Sequence, residues 1–263
     1  MSEFESLLYR VENSVSIITL NRPQSRNSLN LSLRQELIAA VRQANCDTSV
    51  RVVIVAGAGQ GFCAGADLSE EAEGSDQDGW STRQLRYEFN PIIDGILTAE
   101  KPYIAAVNGA AAGFGASLAL ACDFTVMAED AYLYSAFGNI GLIADGGLHK
   151  MLSDYIGSKK AYEMIALSQK LMAEECYEAG MANRIVPAEQ LLKEALTLAL
   201  TLAQASPLAL RYSKMVLREA NAASVSEIAE YEAQLQNHCV RSADFKEGIT
   251  AFFEKRPPRF RGA

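Results

Sequence analysis

The chain has 263 residues, 49% of them hydrophobic and 21% charged, with a formal net charge of −8. That length and composition describe one large globular domain, or a domain with an appendage, and exclude a disordered chain. The acidic balance argues against a duplex-binding surface, which needs an excess of Lys and Arg to meet phosphates, so no nucleic acid is expected as a partner.

No apolar run reaches the roughly 20 residues that cross a bilayer, so no membrane association is expected. Met1 to Tyr9 carries Glu3 and Glu5 and has no apolar stretch of signal-peptide length. The five cysteines (Cys46, Cys63, Cys122, Cys176 and Cys239) are odd in number, widely spaced and accompanied by only two histidines. The expectation is reduced thiols and no metal site, in the cytoplasm or, after loss of a transit peptide, an organellar matrix.

In chain order, Leu7 to Glu12 and Val15 to Leu20 flank Asn13-Ser14 and predict a hairpin. Asn30 predicts an N-cap, followed by Leu31, Leu33, Leu37, Ile38 and Val41 at helical spacing, a pattern that fades near Asp47. Val52 to Ala56 reads as a buried strand ended by Gly57. The polar stretch Glu70 to Asp78 reads as a surface loop. Tyr103 to Val107 is then a strand, Gly113 to Ala121 a helix and Phe124 to Ala128 a strand. From about Leu148 onward the chain reads as helices, among them Ala188 to Gln204, Pro207 to Ala220, Val225 to His238 and Asp244 to Glu254. The fold class is therefore α/β with a helical C-terminal third, divided as a core over 1–200 and a helical region over 201–263.

Two glycine-rich turns carry the functional signal. Gly61-Phe62-Cys63-Ala64-Gly65-Ala66-Asp67 follows a strand and offers main chain to a ligand. Asn108 to Ser117 also follows a strand and runs into an apolar helix, whose free amides and dipole face the turn. Two amides from separate loops aimed at one developing charge make an oxyanion hole. Neither turn has the G-K-[ST] or G-x-G-x-x-G pattern of a nucleotide site.

The motif F-C-A-G-A-D-L at Phe62 to Leu68, preceded by N-R-P-x-x-R-N-S-L-N at Asn21 to Asn30, resembles the crotonase (enoyl-CoA hydratase/isomerase) superfamily. So do A-A-V-N-G-A-A-A-G-F-G at Ala105 to Gly115, A-C-D-F at Ala121 to Phe124, E-A-G-M-A-N-R-I-V-P at Glu178 to Pro187, and A-F-F-E-K-R at Ala251 to Arg256. The six segments stand in family order along nearly the whole chain. The resemblance implies a spiral of ββα units with C-terminal helices that trimerise, as a homotrimer or a dimer of trimers. It implies an acyl-CoA substrate, with no cofactor beyond the coenzyme A moiety. The oxyanion amides would be those of Ala66 and Phe114. Coenzyme A would lie near Arg22, Arg26 and Ser28 and the Cys63-Ala64 turn, with Phe252 and Lys255 contributed by a neighbouring subunit.

An oxyanion hole polarises a thioester but moves no proton, so a base must stand nearby. Hydratases of the family carry two glutamates, and the matching positions here are Ser117 and Phe137. What remains is Asp145 in Gly141 to Gly147, where isomerase-type members and the aromatic dehalogenases place an aspartate. Read alone, Asp145 would be an N-cap for a helix from Gly146 to Tyr155; the resemblance makes it the catalytic base. Hydration is served best by two carboxylates, whereas shifting a double bond needs one, so a lone Asp145 favours 3-enoyl-CoA to 2-enoyl-CoA isomerisation over hydration. Phe114, Phe137, Leu142 and Ile143 would give that base apolar surroundings and raise its pKa. Ser117, Phe137 and Leu142 are expected at the acyl pocket, and the region Glu70 to Leu97 is expected to set acyl specificity.

Three alternatives have less support. Dehalogenation would need a histidine between Ala66 and Phe114, and that stretch has none. Cys63 as nucleophile has no histidine near it in sequence; His149, four residues beyond Asp145, is read as a surface or packing residue before a second proton carrier, and His238, without chemical companions, is given no role. A non-catalytic coenzyme-A-binding or scaffold protein fits the lost glutamates but not the retained oxyanion turns.

Overall fold

A computed structural model describes residues 4–70 and 78–263. Asn13 and Ser14 both take positive φ (51° and 63°), the mirror-image turn whose twist suits antiparallel strands. Leu7–Glu12 (β1) and Val15–Leu20 (β2) accordingly pair as the expected hairpin. Asn30 sits in extended backbone and its side chain accepts from the Leu33 N–H, starting Leu31–Cys46 (α1). Most of the predicted loop from Glu70 to Asp78, residues 71–77, lies outside the described residues.

The strands that follow form two sheets. They are Val52–Gly57 (β3), Gly61–Cys63 (β4), Tyr103–Val107 (β5), Ala110–Ala112 (β6), Phe124–Ala128 (β7), Tyr132–Tyr134 (β8), Lys170–Met172 (β9) and Arg184–Val186 (β10). One sheet has the order β1-β2-β3-β5-β7-β10 and the other β4-β6-β8-β9. The chain feeds them alternately: β3, β5 and β7 enter the first, β4, β6 and β8 the second. Between β4 and β5 lie Trp80–Gln84 (α2), a π turn at Leu85–Phe89 and Asn90–Leu97 (α3). Phe114–Ala121 (α4) follows β6, and Leu148–Ala166 (α5) follows β8 with a kink at Gly157. This is the expected spiral of ββα units.

β4 pairs with β6 in parallel, so the segments after Cys63 and Ala112 leave the second sheet side by side. That register is what brings the two glycine-rich turns together. All eight residues of α4 are buried, which fits its run of small and apolar side chains.

The helical reading of the C-terminal third needs two corrections. Lys170–Met172 and Arg184–Val186 are strands, β9 antiparallel to β8 and β10 parallel to β7. Each is three residues long, too short for its alternation to register in sequence. The boundary expected at residue 200 falls inside Leu191–Gln204 (α7). That helix buries Leu191, Ala195, Leu198 and Ala199 and packs on the first sheet, so the core runs through Gln204. The short helix Ala173–Glu178 (α6) precedes β10.

Beyond the core lie Pro207–Ala220 (α8), Val225–Val240 (α9) and Ala243–Glu254 (α10). Lys214 on α8 bolts them down. Its Nζ donates to the carbonyls of Ile96 (2.9 Å) and Lys101 (3.3 Å) and to Asp123 Oδ2 (2.8 Å). Arg218 donates to the carbonyl of Leu97 at 2.9 Å, so two cations meet the C-terminal end of α3, where a helix dipole favours them. Burial raises the Asp123 pKa, and Lys214 opposes that. Lys214→Met leaves the partly exposed Asp123 carboxylate and two backbone carbonyls without their donor and is expected to cost about 2 kcal/mol in urea unfolding. Asp123→Asn in the same chain should recover part of that loss.

Candidate active site

The first turn is held as a short ladder against residues 26–29. Ala64 N–H donates to the Arg26 carbonyl (3.0 Å), Leu29 N–H to the Gly65 carbonyl (2.8 Å) and Asp67 N–H to the Leu29 carbonyl (3.3 Å). In a parallel bridge of this kind, between Leu29 and Ala66, the partner bonds the residues on either side, so the Ala66 N–H points away from Leu29. Phe114 is the first residue of α4, after Gly113 in non-helical backbone, so its N–H is one of the amides a helix start leaves without an intrahelical acceptor.

Gly65 decides how closely these amides approach. A Cβ there would lie 2.9 Å from the Ala112 carbonyl oxygen and 3.3 Å from the Phe114 nitrogen, and φ at Gly65 is +89°. Only glycine lets the residue before Ala66 sit against the start of α4. The structure therefore brings together the two amides expected from the sequence.

Asp145 reaches the same place from the segment after β8. Ser117 Oγ donates to the Asp145 carbonyl at 2.9 Å, and Gly146, at φ +59°, leaves no room for a Cβ against Ser117 and the Phe114 ring. Asp145 is not the N-cap of a helix from Gly146. The helix starts at Leu148 with Gly147 at its cap position and no side-chain cap, and the Leu148 N–H donates to the Asp145 backbone carbonyl. Ser117, expected at the acyl pocket, is fully buried and is not among the residues that line the cavity; its hydroxyl holds the Asp145 main chain.

Ser28, Ala64, Ala66, Phe114, Phe137, Leu142 and Asp145 all line one cavity of about 1100 Å³. Arg22, Arg26, Cys63, Phe252 and Lys255 do not. Cys63 is wholly buried and its thiol pKa is pushed up to about 12 by that burial, so it stays neutral and is no nucleophile. Phe252 is 77% exposed, and Lys255 stands beside it at the end of α10. His149 is exposed and lies outside the cavity lining. Leu142 is 54% exposed and Ile143 80% exposed, so these two enclose Asp145 less than expected, while the buried Phe114 packs beside the adjacent Gly146.

Several structural supports were not read from the sequence. Phe89 also lines the cavity and packs edge-on against Phe114 with centroids 4.8 Å apart, while Arg34 stacks behind it at 5.0 Å. Asp67, next to Ala66, takes Arg22 Nη1 at 2.8 Å, Ser28 Oγ at 3.0 Å and Ser69 Oγ at 2.7 Å. Burial alone would raise its pKa, but the bonds from Ser69, Arg22 and Ser28 outweigh that and hold it at about 2. Arg22, expected at coenzyme A, is thus engaged inside the turn. An aspartate held below its unfolded value of about 3.9 stabilises the fold fully above that pH. The stabilisation is lost as pH falls from about 4 toward 2. Acid titration of the folded protein should show this loss, and Asp67→Asn should lack it.

Among the described residues no group of three or more His, Cys, Asp and Glu could hold a metal, and no helix is long and apolar enough to cross a membrane.

Residues 10–263 match the Enoyl-CoA hydratase/isomerase family. The chain is 35% identical over 260 residues to a probable enoyl-CoA hydratase of Rhodobacter capsulatus, covering 98% of this chain and 99% of that one. It is 36% identical over 262 residues to 1,2-epoxyphenylacetyl-CoA isomerase of Escherichia coli, at 98% and 99% coverage. A solved enoyl-CoA hydratase from Bacillus anthracis superposes with a TM-score of 0.92 at 32% identity, over 98% of this chain and 100% of that one. With six motifs in family order, the two facing turns and this breadth of similarity, the chain belongs to the enoyl-CoA hydratase/isomerase family of the crotonase superfamily and is an acyl-CoA enzyme.

Proposed function

We propose that this enzyme isomerises 3-enoyl-CoA to 2-enoyl-CoA, with Asp145 as its single base. The observation that carries the reading is the placement of Asp145. It is clamped by Ser117 and Gly146 beside Phe114, while the positions to which the family resemblance assigns the glutamates of hydratases hold Ser117 and Phe137. Asp67, though also at the cavity, is engaged by Arg22, Ser28 and Ser69.

In the reaction, Asp145 removes a proton from C2 of the 3-enoyl thioester. The electron pair delocalises as a dienolate, and charge on the thioester oxygen is received by the Ala66 and Phe114 amides. Asp145, now protonated, returns the proton to C4, leaving the double bond between C2 and C3. The proton makes a round trip on one carboxylate, so no water need be held and no group is required beyond the coenzyme A of the substrate. We further propose that coenzyme A lies along Arg22 to Ser28 and the Cys63-Ala64 backbone. Phe252 and Lys255 would come from a second copy in a homotrimer or dimer of trimers. The exposure of Phe252, together with α8 and α9 burying no residue of their own, supports that assembly.

The test is to supply trans-3-hexenoyl-CoA and trans-2-hexenoyl-CoA separately, following conjugated enoyl absorbance and product mass. Conjugation of the first with no water added to the second is expected. Water addition to the second, or no reaction of the first, overturns the isomerase assignment.

A further inference from the structure

We infer that the cavity selects acyl-CoA thioesters whose acyl chain is uncharged and turns away chains that end in a carboxylate. The inference rests on the same cavity as the isomerase reading but not on which proton transfer occurs there.

The charged residues among the described lining are Asp67, Asp78 and Asp145, and no Lys, Arg or His joins them. The remainder of the wall around the acyl side is apolar or neutral, with Trp80, Leu85, Phe89 and Phe137 among its members. The two nearby cations that are buried or half-buried, Arg34 and Arg22, are committed elsewhere. Arg22 is bonded to Asp67 and to the Ser28 carbonyl. Arg34 lies behind Phe89 with Nε on Glu88 and Nη1 on the Leu29 carbonyl. Arg83 is exposed and donates to the backbone carbonyl of Asp78.

The sequence makes the same point independently of side-chain placement. Between Arg51 and Arg83 there is no Lys, Arg or His, while Asp67, Glu70, Glu71, Glu73, Asp76 and Asp78 all fall in that run. The stretch from residue 52 to 82 therefore holds no cation that could offset a second anion. A carboxylate carried into such a cavity gives up its water for an apolar wall and like charges, with no counter-ion to compensate.

The experiment is isothermal calorimetry with hexanoyl-CoA, adipoyl-CoA and the monomethyl ester of adipoyl-CoA. All three are saturated and none can undergo the double-bond shift. Adipoyl-CoA is expected to bind at least tenfold more weakly than hexanoyl-CoA, and the ester to return to within threefold of it. A smaller penalty for adipoyl-CoA overturns the inference. So does an ester that binds as weakly as the acid, because length and not charge would then be what the cavity rejects. Because the ligands are not turned over, a failed 3-hexenoyl-CoA assay would sink the isomerase reading alone and leave this comparison standing.

Discussion

Asp145→Asn should lower turnover of trans-3-hexenoyl-CoA by at least about 10³-fold, within the range a positioned general base supplies. The variant should fold as the parent does. The Asp145 side chain is not the cap of α5, and what anchors the segment is its carbonyl, held by Ser117 Oγ at 2.9 Å. The amide should also leave the oxyanion amides in place, so hexanoyl-CoA binding is expected to persist. A second readout separates chemistry from binding: deuterium exchange at C2 of hexanoyl-CoA should be present in the parent and absent in the variant. Turnover within tenfold of the parent would remove Asp145 from the mechanism.

Asn27→Ala should be among the most destabilising single changes in the chain, by about 4 kcal/mol. Asn27 is fully buried, and its Nδ2 lies within hydrogen-bond distance of the carbonyls of Ala58 (2.9 Å), Gly61 (2.8 Å) and Phe62 (3.2 Å). Its Oδ1 accepts from the Arg22 N–H at 2.9 Å. Truncation leaves several buried polar groups without partners, at about 1–3 kcal/mol each. Alanine at φ 58° adds about 1 kcal/mol more. Thermal and urea unfolding measure the loss. Because Asn27 ties the Arg22 to Ser28 segment to β4, the surviving folded fraction should also show weakened acyl-CoA binding.

Where the sequence was readable, local chemistry decided the structure. Asn30 before a 3.6-residue apolar pattern is sufficient to start α1, and an unbroken run of small apolar residues after Gly113 is sufficient for a buried helix. The two oxyanion turns could be placed because each is a contiguous motif. Asp145 was legible as a residue but not in its setting: as a string, Asp-Gly-Gly before a helical stretch is an N-cap, and only the packing of Gly146 on Ser117 and Phe114 moves the helix start to Leu148. The Arg22–Asp67 pair joins residues 45 apart, and no periodicity connects them. β9 and β10 escaped because three-residue strands are stabilised by their neighbours β8 and β7 more than by their own pattern.

The complete burial of α4 has a dynamic consequence. An amide in its interior can exchange with solvent only when the helix is exposed by a large unfolding event, so these protons should be among the slowest in the protein. Phe114 is the first residue of that slow unit. Ile143, two residues before Asp145, is exposed and should exchange faster. Phe114, proposed to receive the developing charge, thus heads a slowly opening unit, whereas Asp145, the proposed base, is clamped just after an exposed stretch.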